Sequence, residues 1–326
     1  MHYCIRHFNI LPILLQYSQR QFIVRPTCGS FLVRGYSAMV TPSSHTPTPA
    51  PWRHAFLEHI QTVPSPEFTL ATVRKSVSPA GVTTYAPRTR TCAFRGFFAG
   101  LPVNPKNDAE LNPDVYDSDL LAFTTDRRME KLIELFGIEA GKEKENEDRL
   151  KGSGGGAPVE AVFWIKEKST QWRFRGTVYV LAPDIETSEA GEEVRSTLLS
   201  HIRRKNSSGG SEGKEWSFAR EITAHFGNNS PVMRGSFRNP PPSVPVALPV
   251  DDERLKLGQK VTDLNDEVAR SNYRVVVIVP EELDRVDLSN QERARRWVYT
   301  YAGEEQQPQK PGGVIEDGWE KVEVWP

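Results

Sequence analysis

Residues 83–98 read Thr-Thr-Tyr-Ala-Pro-Arg-Thr-Arg-Thr-Cys-Ala-Phe-Arg-Gly-Phe-Phe. Threonine and aromatic side chains dominate the stretch, a composition that fits a pleated, half-buried surface and reads as strand. Pro87 places a break before Arg88, because proline cannot donate to a strand ladder. Three arginines, Arg88, Arg90 and Arg95, then fall within one strand. On an ordinary strand they would mark a solvated face, since arginine is seldom buried without a partner. The alternative is a strand that carries an anionic ligand.

Outward from this stretch the chain keeps supplying strands. Upstream, Trp52, Ala55, Phe56, His59 and Ile60 share one helical face, which predicts a short helix over 52–61 ended by Pro64 and Pro66. Phe68–Val73 follows as a strand. Downstream, Asp119–Thr125 reads as a strand, and Asp126 is placed to cap a helix carrying Met129, Leu132, Ile133 and Phe136 and stopped by Gly137. Val159–Lys166 and Trp172–Leu181 alternate with period two, Trp216–Phe226 suggests a helix, and strands follow at 273–279, 284–288, 295–301 and 319–325. About eight strands with few helices and no βαβ rhythm argue for a closed or partly closed antiparallel barrel, and against a Rossmann sheet. Three stretches rich in glycine, serine, proline or charge, near 139–158, 184–214 and 238–271, read as disordered insertions in one domain spanning 47–326.

Composition removes several function classes. The formal net charge of −1 gives no overall field for a nucleic-acid backbone. The three cysteines have neither CxxC spacing nor an even disulfide framework, and the seven histidines show no metal-binding spacing. The apolar run Ile10–Leu15 is too short for a membrane span and is interrupted by Pro12. No GxGxxG, P-loop or GxSxG motif is present. Residues 1–46 hold no acidic residue, while Arg6, Arg20, Arg25 and Arg34 are spread among apolar and hydroxyl residues. That is the composition of a mitochondrial presequence, with Arg34-Gly35-Tyr36-Ser37 as its processing site. Translation from Met39, and a cytoplasmic protein, is the alternative.

Three pieces remain that could carry chemistry. The first is the arginine strand. The second is Thr124-Thr125-Asp126-Arg127-Arg128 leading to Lys131 at a helix start, where hydroxyls, cations and free amides suit a phosphate monoester. The third is Gln171, opening the strand 171–181, whose amide offers both a donor and an acceptor.

In order and spacing these pieces resemble the pyridoxamine 5′-phosphate oxidase-like FMN-binding split-barrel family. The likeness is strongest to its small FMN-binding domains with an FRGF pattern (Phe94–Phe97) and an FTTDxR pattern (Phe123–Arg128). The family's strand motif opens on arginine and closes five residues later on lysine; Arg90 and Arg95 match, with arginine in the second place. Thr124, Thr125 and Lys131 match the helix-start motif by count, but Glu130 stands where the family has arginine. Either Arg127 or Arg128 would replace it, and the sequence leaves both open. Gln171 matches the family's flavin-contacting glutamine, without the arginine before it, and Asn229-Ser230 matches its Gln-Ser pair.

The resemblance implies a mainly β fold with short helices, non-covalent FMN, and a homodimer that builds each flavin site between two chains. The cofactor residues it implies are Arg90, Arg95, Thr124, Thr125, Arg128, Lys131, Gln171, Asn229 and Ser230. It implies an FMN-dependent oxidoreductase acting on a small substrate, with a flavin-binding protein without turnover as the alternative and a haem-binding relative as a weaker one. The family's substrate-binding Arg-x-His is replaced by Arg293-Ala294-Arg295-Arg296-Trp297, and its Tyr-x-x-Arg-Pro by the 184–214 stretch. Arg295 and Arg296 are the residual candidates for an acidic substrate, and weak or absent oxidation of pyridoxamine phosphate is expected. No metal is implied.

Overall fold

Strand alternation sorts the side chains into two hydrophobic layers, one inside a barrel and one between the barrel and its helices. The computed structural model describes residues 48–205, 215–305 and 307–326. Contacts divide the chain into Met1–Ser44 and His45–Pro326. The presequence reading and the lead-in before residue 48 lie outside the described residues.

In chain order the elements are α1 (Arg53–Ile60), β1 (Glu67–Val77), β2 (Thr83–Ala93), β3 (Tyr116–Ser118), β4 (Leu121–Asp126), α2 (Lys131–Leu135), α3 (Glu147–Lys151), β5 (Gly154–Ile165) and β6 (Thr170–Leu181). They continue as α4 (Glu189–Leu199), β7 (Ile202–Arg204), α5 (Phe218–Gly227), α6 (Pro231–Ser236), α7 (Glu267–Asn272), β8 (Tyr273–Asp287), β9 (Arg295–Tyr301), β10 (Val314–Glu316) and β11 (Trp319–Val324). The main sheet runs β10-β11-β9-β8-β6-β5-β1-β2, all pairs antiparallel, and β4 also pairs with β8. β8 is long enough to serve two partners on one edge: residues 273–278 take β4 and residues 282–287 take β9. Past β2 the backbone swings across to β4, where Arg95 N donates to Ala122 O (2.8 Å) and Phe98 N donates to Leu120 O (2.8 Å). The run β4-β8-β6-β5-β1-β2 thereby returns to its own first strand, and β9–β11 leave it as an arm. This is a split barrel.

The barrel interior is aromatic. Phe68, Phe94, Phe123, Phe163, Trp172 and Phe174 converge there, with Trp52, just before α1, and Phe56 of α1 entering from one end and Leu132 and Leu135 of α2 contributing. Burying such side chains is worth roughly 1.5–3 kcal/mol each, so this cluster is the main source of stability. The outer layer covers Ala122, Leu181, Val275 and Val277 with Leu198 of α4 and Phe226 of α5. α1 and β7 are pinned to the β3–β4 turn by ion pairs from Arg53 and Arg203 to both Asp117 and Asp119, at 2.6–2.7 Å.

Several expectations are corrected. Residues 139–158 are not a disordered insertion, because they hold α3 and the start of β5. Their glycine run serves the strand: a Cβ at Gly155 would lie 2.4 Å from Val178 O, and its φ of +128° disfavours other residues. The 184–214 stretch contains α4 and β7, and α4 buries Val194 and Leu198 on one face; residues 206–214 lie outside the described residues. The 238–271 stretch is largely loop but is tied down by Val261 N to Pro231 O (2.9 Å) and ends in α7. Pro87 does not break β2, which is an edge strand with only β1 as a neighbour there, a position where proline is tolerated. The strands expected at 273–279 and 284–288 are one strand, whose register shifts opposite Arg175/Gly176.

Candidate functional site

The site is built where β2 and β4 separate. Their backbone hydrogen bonding reaches Arg95 and Ala122 and goes no further, so the two strands splay and leave a seam. Gly96 makes the turn into this contact, with φ of +95° and no room for a Cβ against Pro102 Cδ (2.4 Å). Alternation along β4 then sends Phe123 and Thr125 inward and Ala122 and Thr124 to the outer layer.

On the outer side, Arg95 Nη2 donates to Asn229 Oδ1 at 3.2 Å, while its buried Nε has no partner. Asn229 is fixed in turn, with Nδ2 donating to His225 O (2.9 Å) and lying 3.5 Å from the Tyr273 hydroxyl. Tyr273 faces Thr124 as well, and burial raises its pKa, so it stays a neutral phenol. On the inner side, Lys131 Nζ donates to Thr125 Oγ1 at 3.0 Å. Cys92 adjoins Lys131 and is kept as a thiol by burial. Burial also lowers the Lys131 pKa, with Arg90 adding to the effect and Cys92 opposing it.

The other arginines of the motif are already engaged. Arg90 pairs with Glu134 of α2, a carboxylate only 2% exposed, and also donates to Thr72 Oγ1. Arg128 forks onto Asp126 (2.6 and 2.9 Å) and donates to Asn239 O (2.8 Å). Asp126 therefore does not cap a helix; it accepts from Arg128, and α2 starts only at Lys131. Arg127 makes no ion pair and no side-chain hydrogen bond among the described residues. Ser230 caps α6 through Met233 N (3.2 Å).

Gln171 lies elsewhere in the chain. The β6 residue level with Thr124, through Val275, is Leu181, and Gln171 is ten residues earlier, about 33 Å of strand at 3.3 Å per residue. There it belongs to a cross-strand row, Trp164-Gln171-Val286-Arg296-Val324. Trp164 in that row is 53% exposed. Arg296 is bound to Asp284 (2.7 and 3.0 Å) and Arg295 to Glu323 (2.8 Å). One chain thus carries two separated groups of site candidates: Arg95, Thr124, Thr125, Lys131 and Asn229 at the seam, and Gln171 with Arg296 on the far row. Tyr273 was not singled out from the sequence, because within Tyr-Arg-Val-Val-Val-Ile-Val it reads as core.

The seam fits a flavin phosphate. Arg95 and Lys131 are its two cations without a carboxylate bonded to them, Lys131 reaches the Thr125 hydroxyl, and the Arg95 Nε proton is left without an acceptor. A buried donor without an acceptor is costly, and a phosphate oxygen would satisfy it.

Residues 49–182 match the family model for the pyridoxamine 5′-phosphate oxidase FMN-binding domain. The match covers α1 through β6, and hence Arg95, Lys131 and Gln171, but not Asn229, Tyr273 or Arg296. Among solved structures, a pyridoxamine 5′-phosphate oxidase-related, FMN-binding protein from Nostoc punctiforme is 18% identical, over 86% of this chain and 100% of that one, with a TM-score of 0.48. PhzG from Burkholderia lata, solved with tetrahydrophenazine-1-carboxylic acid, is 14% identical over 84% of this chain and 90% of its own, with a TM-score of 0.37. General Stress Protein 26 from Bacillus anthracis is 12% identical over 71% and 92%, with a TM-score of 0.24. No curated protein matches the chain.

Proposed function

We propose, from the match of residues 49–182 to the model of the pyridoxamine 5′-phosphate oxidase FMN-binding domain, that this chain is a homodimeric FMN-dependent oxidoreductase of that family acting on a small substrate. The observation that carries the reading is the seam, on whose two sides Arg95 and Lys131 stand without a bonded carboxylate. In this reading both hold the phosphate, with the Thr124 and Thr125 hydroxyls. Asn229 and Tyr273 orient Arg95, and Arg90 keeps α2 and its Lys131 in place through Glu134. When bound, the isoalloxazine ring supplies the redox chemistry, and the protein supplies binding and orientation.

The proposed dimer accounts for the separation of the two groups. Gln171 cannot serve the seam of its own chain, so a partner's Trp164–Arg296 row would be set against it. Arg295 and Arg296, the candidates for an acidic substrate, are tied to Glu323 and Asp284, which favours a flavin-binding protein without turnover as the second reading. Residues 1–46 are proposed as a mitochondrial presequence; fused to a fluorescent reporter they should direct it to mitochondria, and diffuse cytosolic signal would reject this.

The test of the central reading is the purified protein. It should be yellow and release FMN, not FAD, on denaturation. A colourless protein that binds no added FMN at micromolar concentration would end the proposal. Consumption of oxygen or of a reductant by the yellow protein separates the two readings.

A further inference from the structure

A second cationic pocket lies beyond the end of the β4–β8 ladder. It has a volume of about 390 Å³ and is lined by Arg127, Lys151, Pro183, Asp184, Ser271 and Arg274, among others. Neither Lys131 nor Thr125 lines it. Arg127 is delivered to it by the ladder's last bond, Arg127 N to Asn272 O (2.8 Å), and Arg274 is level with Thr125 in the same pair of strands.

Arg274 is unusual for a guanidinium. It is 1% exposed, yet its hydrogen bonds run only to the carbonyls of Ser271 (3.0 Å), Tyr273 (2.8 Å) and Lys151, and its buried Nε has no partner. No carboxylate is bonded to it. The three nearby acids have other commitments: Asp184 accepts from Ser153 N and Oγ (2.8 Å each), Asp126 is held by Arg128, and Asp148, which also lines the pocket, pairs with Lys151 (3.3 Å). Burial, with Arg127 as the next contribution, pulls the Arg274 pKa down to about 10. Two guanidiniums therefore share a pocket in which nothing pairs with either. Leaving a buried charge uncompensated is costly, whereas an anion bridging two guanidiniums would neutralise both.

We infer that this pocket is a second anion site, distinct from the seam, which takes the phosphate or carboxylate group of a small organic molecule between Arg127 and Arg274. The volume exceeds what a bare oxyanion needs, and Pro183 with the arginine stems offers apolar wall for the remainder of the ligand. The site is separate from the cations of the seam, because neither Arg95 nor Lys131 lines it.

The test is isothermal titration of the full-length chain with inorganic phosphate and, separately, with succinate, each to about 20 mM, a range that reaches millimolar affinities. Wild type and Lys131→Met, which disables the seam, should both bind. Arg127→Gln, which breaks no ion pair and so leaves folding intact, should bind at least tenfold more weakly. Binding of phosphate alone would assign the ligand to phosphate esters, and binding of succinate alone to carboxylates. The inference is overturned by an absence of binding in wild type, by full binding in Arg127→Gln, or by loss in Lys131→Met.

Discussion

Lys131→Met is the substitution that asks most directly whether the seam holds a phosphate. In the free protein the ammonium has a single neutral acceptor, Thr125 Oγ1 at 3.0 Å, and no bonded carboxylate. It is also already partly stripped of water, as its lowered pKa records. Binding a phosphate would therefore add a charge-assisted bond with little further desolvation, worth about 1.5–3 kcal/mol. Losing it should weaken FMN by roughly ten- to a hundred-fold. Methionine keeps most of the stem volume against Cys92, so the barrel should be unaffected. Riboflavin has the same ring and no phosphate, and its affinity should change by less than about twofold, within the small scatter expected of a site not in contact. Titration of the apoprotein by quenching of flavin fluorescence measures both ligands under one condition. Equal losses for FMN and riboflavin would refute the reasoning, since Lys131 would then support the fold and not the phosphate.

Arg90→Ala should act on stability instead, lowering it by about 2–3 kcal/mol by removing the closer of the two arginines that face the buried Glu134 carboxylate; a urea midpoint unchanged from wild type would contradict this. FMN affinity should decline with rising pH below the ordinary lysine value of about 10.4, because burial lowers the Lys131 pKa and its neutral form cannot pair with phosphate. Riboflavin affinity over the same range should stay flat, and a parallel decline would rule the explanation out. If the flavin site is shared, mixing Lys131→Met and Gln171→Ala chains should restore wild-type FMN affinity at about a quarter of all sites, the fraction given by random pairing of the chains; no recovery after subunit exchange would count against the dimer. Oxidation of pyridoxamine 5′-phosphate by the FMN-loaded protein should remain below a kcat/KM of about 10⁴ M⁻¹s⁻¹, and a higher value would show that the missing histidine is dispensable.

The barrel was legible because its strands bury one face: Val159–Ile165 and Trp172–Leu181 alternate in sequence and in burial alike. What misled was local composition. Glycines at 152–156 read as disorder, whereas Gly155 is required where β5 passes close to Val178. α4 was missed because its charged exposed face outweighed Val194 and Leu198 on the buried one. Within the site, the residue types were legible but their partners were not. Arg90 and Arg95 look equivalent on the strand, yet one meets Glu134, 44 positions away, and the other meets Asn229, 134 positions away. Asp126 followed three residues later by Met129 resembles a capped helix start, and only the fork to Arg128 shows otherwise. Long-range pairing of this kind leaves no periodic trace in the chain.

The dual role of β8 also governs how the molecule is made. β4, β5 and β6 are synthesised long before β8, yet β8 is the ladder partner of both β4 and β6. Translation at 5–20 residues per second leaves the roughly 150 residues between β4 and β8 unsynthesised for on the order of ten to thirty seconds. During that interval the aromatic interior faces water and β6 presents an unpaired edge, a surface open to association with other strands. Non-local closure of this kind is also slow once the chain is complete. The unpaired β4–β6 segment therefore stays open until residue 287 has left the ribosome, and the protein's yield in a heterologous host should rise with added chaperone.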